Sequence, residues 1–283
     1  MLNQTSPETF SERSMRPEGN SAAASAIEDI CAGFAKWRIW TALSWQEYRN
    51  TYRRSVLGVV WVTLSFAAFM FLKLTLFSSL LGVDDNTYYS AYLLLGYFIW
   101  FYISQSITSA PETFLRNRGW IRSEPLPMST YIFKSILREI YNLLLTLIVI
   151  VIALYMMKYP KDFSLIVFSF IAILFFFLSA FSLKLLLGTI SARFRDVIHL
   201  VRAIMMPMMF LSPIFWMPSQ MAPLMKYLWW NPLFHYIEIF RAPILDGVIP
   251  VTSWIFVGIV YGVITVAAFV LFAFSKRRIV FWL

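Results

Sequence analysis

SARFRDVIHLVRAIMMPMMFLSPIFWMPSQMAPLMKYLWWN, residues 191–231, is the stretch whose reading decides the fold. Arg193, Arg195 and Asp196 form a polar knot, and an apolar segment interrupted by Pro207 and Pro213 follows it. Proline lacks the backbone donor and crowds the preceding turn, so the pair predicts a kinked helix. The Pro-, Met- and Trp-rich part after it is too short and too broken to cross a bilayer, which needs about 20 apolar residues in a row. The stretch therefore reads as a loop that feeds a spanning helix, which then folds partly back into the outer leaflet.

Composition agrees. Of 283 residues, 59% are hydrophobic and 14% charged, whereas a soluble domain carries roughly 25% charged residues. The chain reads as an all-α integral membrane protein. Its formal charge of +9 is the excess that membrane proteins collect in cytoplasmic loops. No basic stretch is interleaved with base-stacking aromatics in a soluble segment, so nucleic acid is not expected as a partner. The single Cys31 excludes an internal disulfide framework.

Residues 1–30 are polar and rich in Ser, Ala and Glu, and they predict a disordered cytosolic tail. Residues 31–54 predict an amphipathic interface helix, with Phe34, Trp37, Thr41, Trp45, Tyr48 and Tyr52 at helical spacing. The transmembrane domain is expected over residues 55–283. Its spans fall at 56–81, 90–110, 131–157, 164–190, the opening stretch, and 251–274. Lys73 lies roughly 26 Å along the first span from Val56, and Lys184 about 13 Å from Arg193. Both are expected to snorkel to an interface. Gly258 and Gly262 form a G-x-x-x-G helix-packing signal in the last span.

Loop charge gives the orientation. One side collects Arg49, Arg53, Arg54, Arg116, Arg118, Arg122, Lys134, Arg138, Arg193, Arg195, Arg202, Lys276, Arg277 and Arg278. The other holds Lys158, Lys161, Lys226 and Arg241 together with Asp84, Asp85, Asp162, Glu238 and Asp246. Both termini are therefore expected in the cytosol, with six spans. There is no G-x-x-x-x-G-K-[S/T] loop, no clustered His, Cys and carboxylate set, and no carboxylate in mid-span. No metal, no catalytic residue and no cofactor is expected in this chain. A mover without its own fuel implies a motor partner.

Several motifs in order resemble the membrane subunit of ABC-2-type exporters, and within them the permeases for O-antigen, capsule or teichoic acid. They are Tyr52-Arg53-Arg54-Ser55-Val56-Leu57-Gly58 with Trp61, Pro125-Leu126-Pro127, Ala192-Arg193-Phe194-Arg195-Asp196-Val197, Ser212-Pro213-Ile214, and Asn231-Pro232 with Arg241 downstream. The resemblance implies a six-helix homodimeric permease in the bacterial inner membrane, bound to two copies of a cytosolic ATPase that carries ATP and Mg. It implies a coupling helix at 112–124, bearing Glu112, Arg116, Arg118, Trp120, Arg122 and Glu124. It also implies a channel between the first and fifth spans, and re-entrant helices at about 218–250. The expected cargo is a lipid-linked polysaccharide. Arg49, Arg53 and Arg54 are expected to attract its phosphates, Phe66, Phe69, Phe210 and Trp216 to stack on its sugars, and Pro207 and Pro213 to supply the channel's kink. The rival readings are an ABC-2 exporter of another lipid or drug, and a membrane-embedded glycosyl or acyl transferase built on His235, Glu238 and Arg241.

Overall fold

A computed structural model describes residues 22–81, 86–159, 164–218 and 225–283. All regular structure among the described residues is helical. Helices α1 (Ala22–Ala35) and α2 (Trp37–Thr51) precede α3 (Val60–Leu81) and α4 (Asn86–Ser109). Two 3-10 turns, Ala110–Glu112 and Leu115–Asn117, lead into the short α5 (Arg118–Ser123). Then come α6 (Met128–Met156), α7 (Ile166–Arg193), α8 (Val197–Leu211), α9 (Met225–Leu228), α10 (Pro232–Leu245) and α11 (Val251–Trp282). The acidic turn expected around Asp84 and Asp85, like Lys161 and Asp162, lies outside the described residues.

Among the described residues four helices are long and apolar enough to cross a membrane: Thr87–Glu112, Met128–Met156, Ile166–Arg193 and Val251–Trp282. Val60–Leu76 and Val197–Leu211 are shorter apolar stretches. The protein is a multi-pass membrane protein. Its centre is α4, whose apolar window is 61% buried against 28%, 28% and 17% for the other three, so α4 is the helix around which they assemble. The outward faces of α6, α7 and α11 are apolar and exposed, with Leu144, Phe170 and Val263 among their residues. One core cluster gathers α4, α10 and the middle of α6 and α7. A second lies at the arginine-rich end, where Phe114, Tyr131 and Phe272 are fully buried.

The disordered tail expected over residues 1–30 does not hold for residues 22–30, and residues 1–21 lie outside the described residues. Residues 22–30 belong to α1, and α1 is structural. The Asp29 carboxylate accepts from the backbone N–H groups of Met128 (3.1 Å) and Ser129 (3.0 Å). It thereby caps α6, whose own N-terminus offers no side-chain cap. Gly33 lets the two helices meet: a Cβ there would lie 2.0 Å from Ser129 Oγ. The expected single amphipathic helix is in fact two, broken at Lys36. Past α2 the chain turns through Arg54 (φ 71°) and Gly58 (φ 55°), and Gly58 fits this left-handed geometry without strain.

Other expectations shift as well. The 112–124 helix is broken into a 3-10 turn and α5, which ends at Ser123, ahead of Pro125 and Pro127. Helix α8 runs unbroken through Pro207 and ends at Leu211, so Pro213 terminates the helix instead of bending it. The last helix continues past 274 through Lys276, Arg277 and Arg278 to Trp282. Gly258 and Gly262 face open space, so their G-x-x-x-G spacing packs nothing within this chain.

Candidate functional site

Lys184, expected to snorkel, instead marks the polar interior. Lys184 is fully buried, and its Nζ donates to Glu139 Oε1 (2.7 Å) and Ser109 Oγ (2.6 Å). Glu139 is also fully buried, and Ser109 Oγ donates to its Oε1 (2.6 Å). This knot ties α4, α6 and α7 together, because an ion leaving water needs both a counter-charge and hydrogen bonds. Lys73 Nζ sits over three rings, 3.6 Å from the Phe215 centroid, 4.4 Å from Phe69 and 4.8 Å from Tyr97. The attraction of a cation for ring faces holds it within the protein.

At the arginine-rich end a cleft of ≈ 320 Å³ opens between α2, α4, α6 and α8. Tyr48, Thr51, Tyr52, Gln105, Asn142, Glu112, Arg116, Arg138 and Arg202 are among the residues that line it. Glu112 accepts from Arg116 Nε (2.5 Å) and also from Arg202 Nη2. Arg138 is steered by Glu47 (2.7 Å), which also binds Lys134 (2.5 Å). Burial alone would raise the Glu47 pKa, but its bonds to Lys134 and Arg138 outweigh that and hold it below the usual carboxylate range. Burial also pushes the Tyr48 hydroxyl up to about 12, so it stays a neutral donor and acceptor.

At the opposite end the six residues after α8 leave helical geometry, and their carbonyls need partners. Tyr89 Oη donates to Phe215 O (2.6 Å), and Tyr92 Oη to Pro213 O (3.0 Å). Arg241, 2% exposed, donates to the same Pro213 O (3.0 Å) and to Glu238 Oε2 (2.8 Å). Its guanidinium lies 3.7 Å from the Tyr92 ring centroid. Arg241 is thus a clamp on the break after α8. Beside it is a cavity of ≈ 590 Å³ lined by Phe210, Trp216, Tyr227, Trp230 and Asn231. Trp216 Nε1 donates to Phe210 O (3.1 Å), which sets the tilt of its indole.

The sequence-predicted residues divide accordingly. Phe210 and Trp216 come together in the aromatic cavity. Phe69 is 40% exposed and belongs to the Lys73 cage. Phe66 is 4% exposed and packed against Tyr97, Phe98 and Phe101, so it is core and lines no passage. Arg49, Arg53 and Arg54 are exposed beside the turn after α2. Arg118, Trp120, Arg122 and Glu124 are exposed on and after α5, whereas Glu112 and Arg116 turn to the cleft. The three residues a transferase would need are spent on structure. His235 Nδ1 meets Ser253 Oγ (2.9 Å), His235 Nε2 meets Trp229 O (3.1 Å), and Glu238 and Arg241 hold each other. Among the described residues no three His, Cys, Asp or Glu gather as metal ligands.

Sequence reasoning treated Arg138 and Arg202 as general positive charge and missed Asn142 and the tyrosines of the cleft. A signal was present. Lys134, Arg138 and Asn142 recur every four residues, a polar stripe along one face of an otherwise apolar helix.

Comparison with known proteins agrees with this architecture. Two O-antigen export system permease proteins, both RfbA from Klebsiella pneumoniae, are similar to this chain. One is 24% identical over 230 residues, 79% of this chain and 88% of the relative. The other is 24% identical over 239 residues, 82% of this chain and 90% of the relative. Residues 38–245, which run from α2 to the end of the Arg241 helix, match the family model for ABC-2 type transporters. Members of that family are membrane subunits that work with an ATP-binding partner, the ATPase being carried by a separate subunit. With the cleft, the clamp and the break after α8 all inside the matched region, this chain belongs to the ABC-2 type transporter family.

Proposed function

We propose that the chain is the permease of an ATP-driven exporter of lipid-linked polysaccharide of the O-antigen kind, working in the bacterial inner membrane. Two copies form the channel and bind two ATPase subunits that carry ATP and Mg. The observation that carries the cargo reading is the aromatic cavity at the end of α8. Sugar rings present flat C–H faces that stack on such rings, while Asn231 can meet a hydroxyl. The O-antigen export relatives support the same class of cargo.

In this reading six segments cross the membrane. The 22 residues of α3 reach about 33 Å at about 1.5 Å per residue, enough for a core of about 30 Å. The 15 residues of α8 reach only about 22 Å, and the clamped stretch after it completes the crossing. Helices α9 and α10 re-enter from the outer side, with α10 buried against α4, α7 and α11. The arginine-rich end faces the cytosol, with both termini. Exposed Arg49, Arg53 and Arg54 draw the anionic lipid headgroup toward the membrane surface. Arg118, Trp120, Arg122 and Glu124 present the coupling face to the ATPase, and its movement is passed through the Ser109 end of α4 to the channel. Phe69, Phe210 and Trp216 line that channel, and Pro207 and the break at Pro213 give α8 freedom to part from its neighbour.

The double variant Phe210→Ala/Trp216→Ala tests the cavity. Losing two stacking rings lowers delivery of the sugar chain by roughly 30-fold, at about 1 kcal/mol per ring, while ATP hydrolysis by the assembled complex continues. Unchanged delivery would remove the cavity from the transport path.

A further inference from the structure

Glu112 holds two arginines from different parts of the chain. Its carboxylate is only 12% exposed on the side chain, and it bridges Arg116 of its own loop and Arg202 of α8, 90 residues away. The loop is therefore fastened to α8 through one anion. The same cleft holds Arg138, Asn142 and the hydroxyls of Tyr48, Thr51 and Tyr52, and measures ≈ 320 Å³. Of its four charged lining groups, three are guanidiniums and one is this carboxylate. A fork of guanidinium donors suits carboxylate and phosphate alike. Arg138 is pointed by Glu47, whose second oxygen is taken by Lys134, so its position is set from behind.

We propose that this cleft seats a diphosphate group, and that Glu112 is a built-in competitor which the diphosphate displaces from Arg116 and Arg202. Glu112 occupies the place of the ligand's charge when the cleft is empty. A diphosphate brings more charge and more acceptor oxygens than a carboxylate, so it takes both arginines and frees the loop from α8. Occupancy of the cleft is thereby reported to the 110–124 segment, whose far part carries the exposed Arg118, Trp120, Arg122 and Glu124. This rests on the function proposed above only in that the cargo carries an anionic headgroup, taken here to be a diphosphate. Arg49, Arg53 and Arg54 attract that group over a distance, and the cleft holds it.

The test uses the full-length chain in nanodiscs of neutral lipid, with farnesyl diphosphate, inorganic pyrophosphate and farnesol as probes read by the change in tryptophan fluorescence. The two diphosphates bind and farnesol does not. Tighter binding of farnesyl diphosphate assigns the diphosphate to a lipid, and equal binding assigns it to a soluble source. Arg202→Gln weakens diphosphate binding about tenfold, the scale of a charge-assisted hydrogen bond. Glu112→Gln strengthens it roughly three- to fivefold, the scale of a partly exposed charge pair. That gain cannot come from misfolding. Binding of farnesol as tight as that of the diphosphates, or an Arg202→Gln variant that binds like the parent, overturns the site. A Glu112→Gln variant with unchanged or weaker binding overturns the competitor role. Diphosphate binding without export of a sugar chain sinks the cargo reading alone, and export without the Glu112→Gln gain sinks the competitor alone.

Discussion

Replacing Lys184 with Met removes most of the folded protein. Lys184 and Glu139 are both fully buried and share Ser109. Taking away the cation leaves Glu139 inside the bundle with no counter-charge, and its Oε2 already lacks a hydrogen-bond partner among the described residues. Breaking such a pair costs about 3–5 kcal/mol, whereas replacing both members with apolar groups of similar volume is often neutral. Thermal unfolding of the detergent-solubilised protein should therefore show a large loss for Lys184→Met. The double variant Lys184→Met/Glu139→Leu should recover most of it. If the single variant were as stable as the parent, the pair would not be what fastens α4 to α6 and α7.

The second large effect belongs to Arg241. Its guanidinium serves Pro213 O, Glu238 and the face of Tyr92 at once. Arg241→Gln can replace neither the fork nor the stacked plane, and the loss is about 3 kcal/mol. Arg241→Lys recovers little, because one ammonium on a flexible stem cannot span a carbonyl and a carboxylate while lying on a ring. Tyr92→Phe removes one of two donors to Pro213 O and costs about 1 kcal/mol. Limited proteolysis after α8 gives the same order: Arg241→Gln is cut fastest, Arg241→Lys next, then Tyr92→Phe, then the parent. Equal resistance in all four would mean that the break after α8 is held by something other than this clamp.

How much of this was legible in the sequence depends on what the pattern records. The long apolar runs located α4, α6, α7 and α11, because helix length in a bilayer is set by its thickness. The prolines marked an irregular helix but not which of them ends it: Pro207 stays inside α8, whereas the helix stops at Leu211, just before Pro213, which lacks the ladder's donor. Faces were a different matter. Helix α3 is apolar all round, so nothing in its sequence separates buried Phe66 from half-exposed Phe69. Partners far apart in the chain were equally hidden. Snorkelling was a sufficient local account of Lys184, and Glu139 lies 45 residues earlier. Asp29 lay in a stretch whose composition reads as disorder, and its partners, the uncapped N-terminus of α6 and Lys276, lie about 100 or more residues away.

The central claim is that this chain and a separate ATPase together carry a lipid-linked sugar chain across the membrane. Reconstitution of both subunits into proteoliposomes, with a fluorescent lipid-linked oligosaccharide on the ATPase-bearing side, measures it directly. The account predicts ATP-dependent appearance of the oligosaccharide on the opposite side, lost without the ATPase and reduced roughly 30-fold in Phe210→Ala/Trp216→Ala at about 1 kcal/mol per ring. ATP-dependent movement of the bare lipid or a drug, with the sugar-bearing lipid left in place, would contradict it.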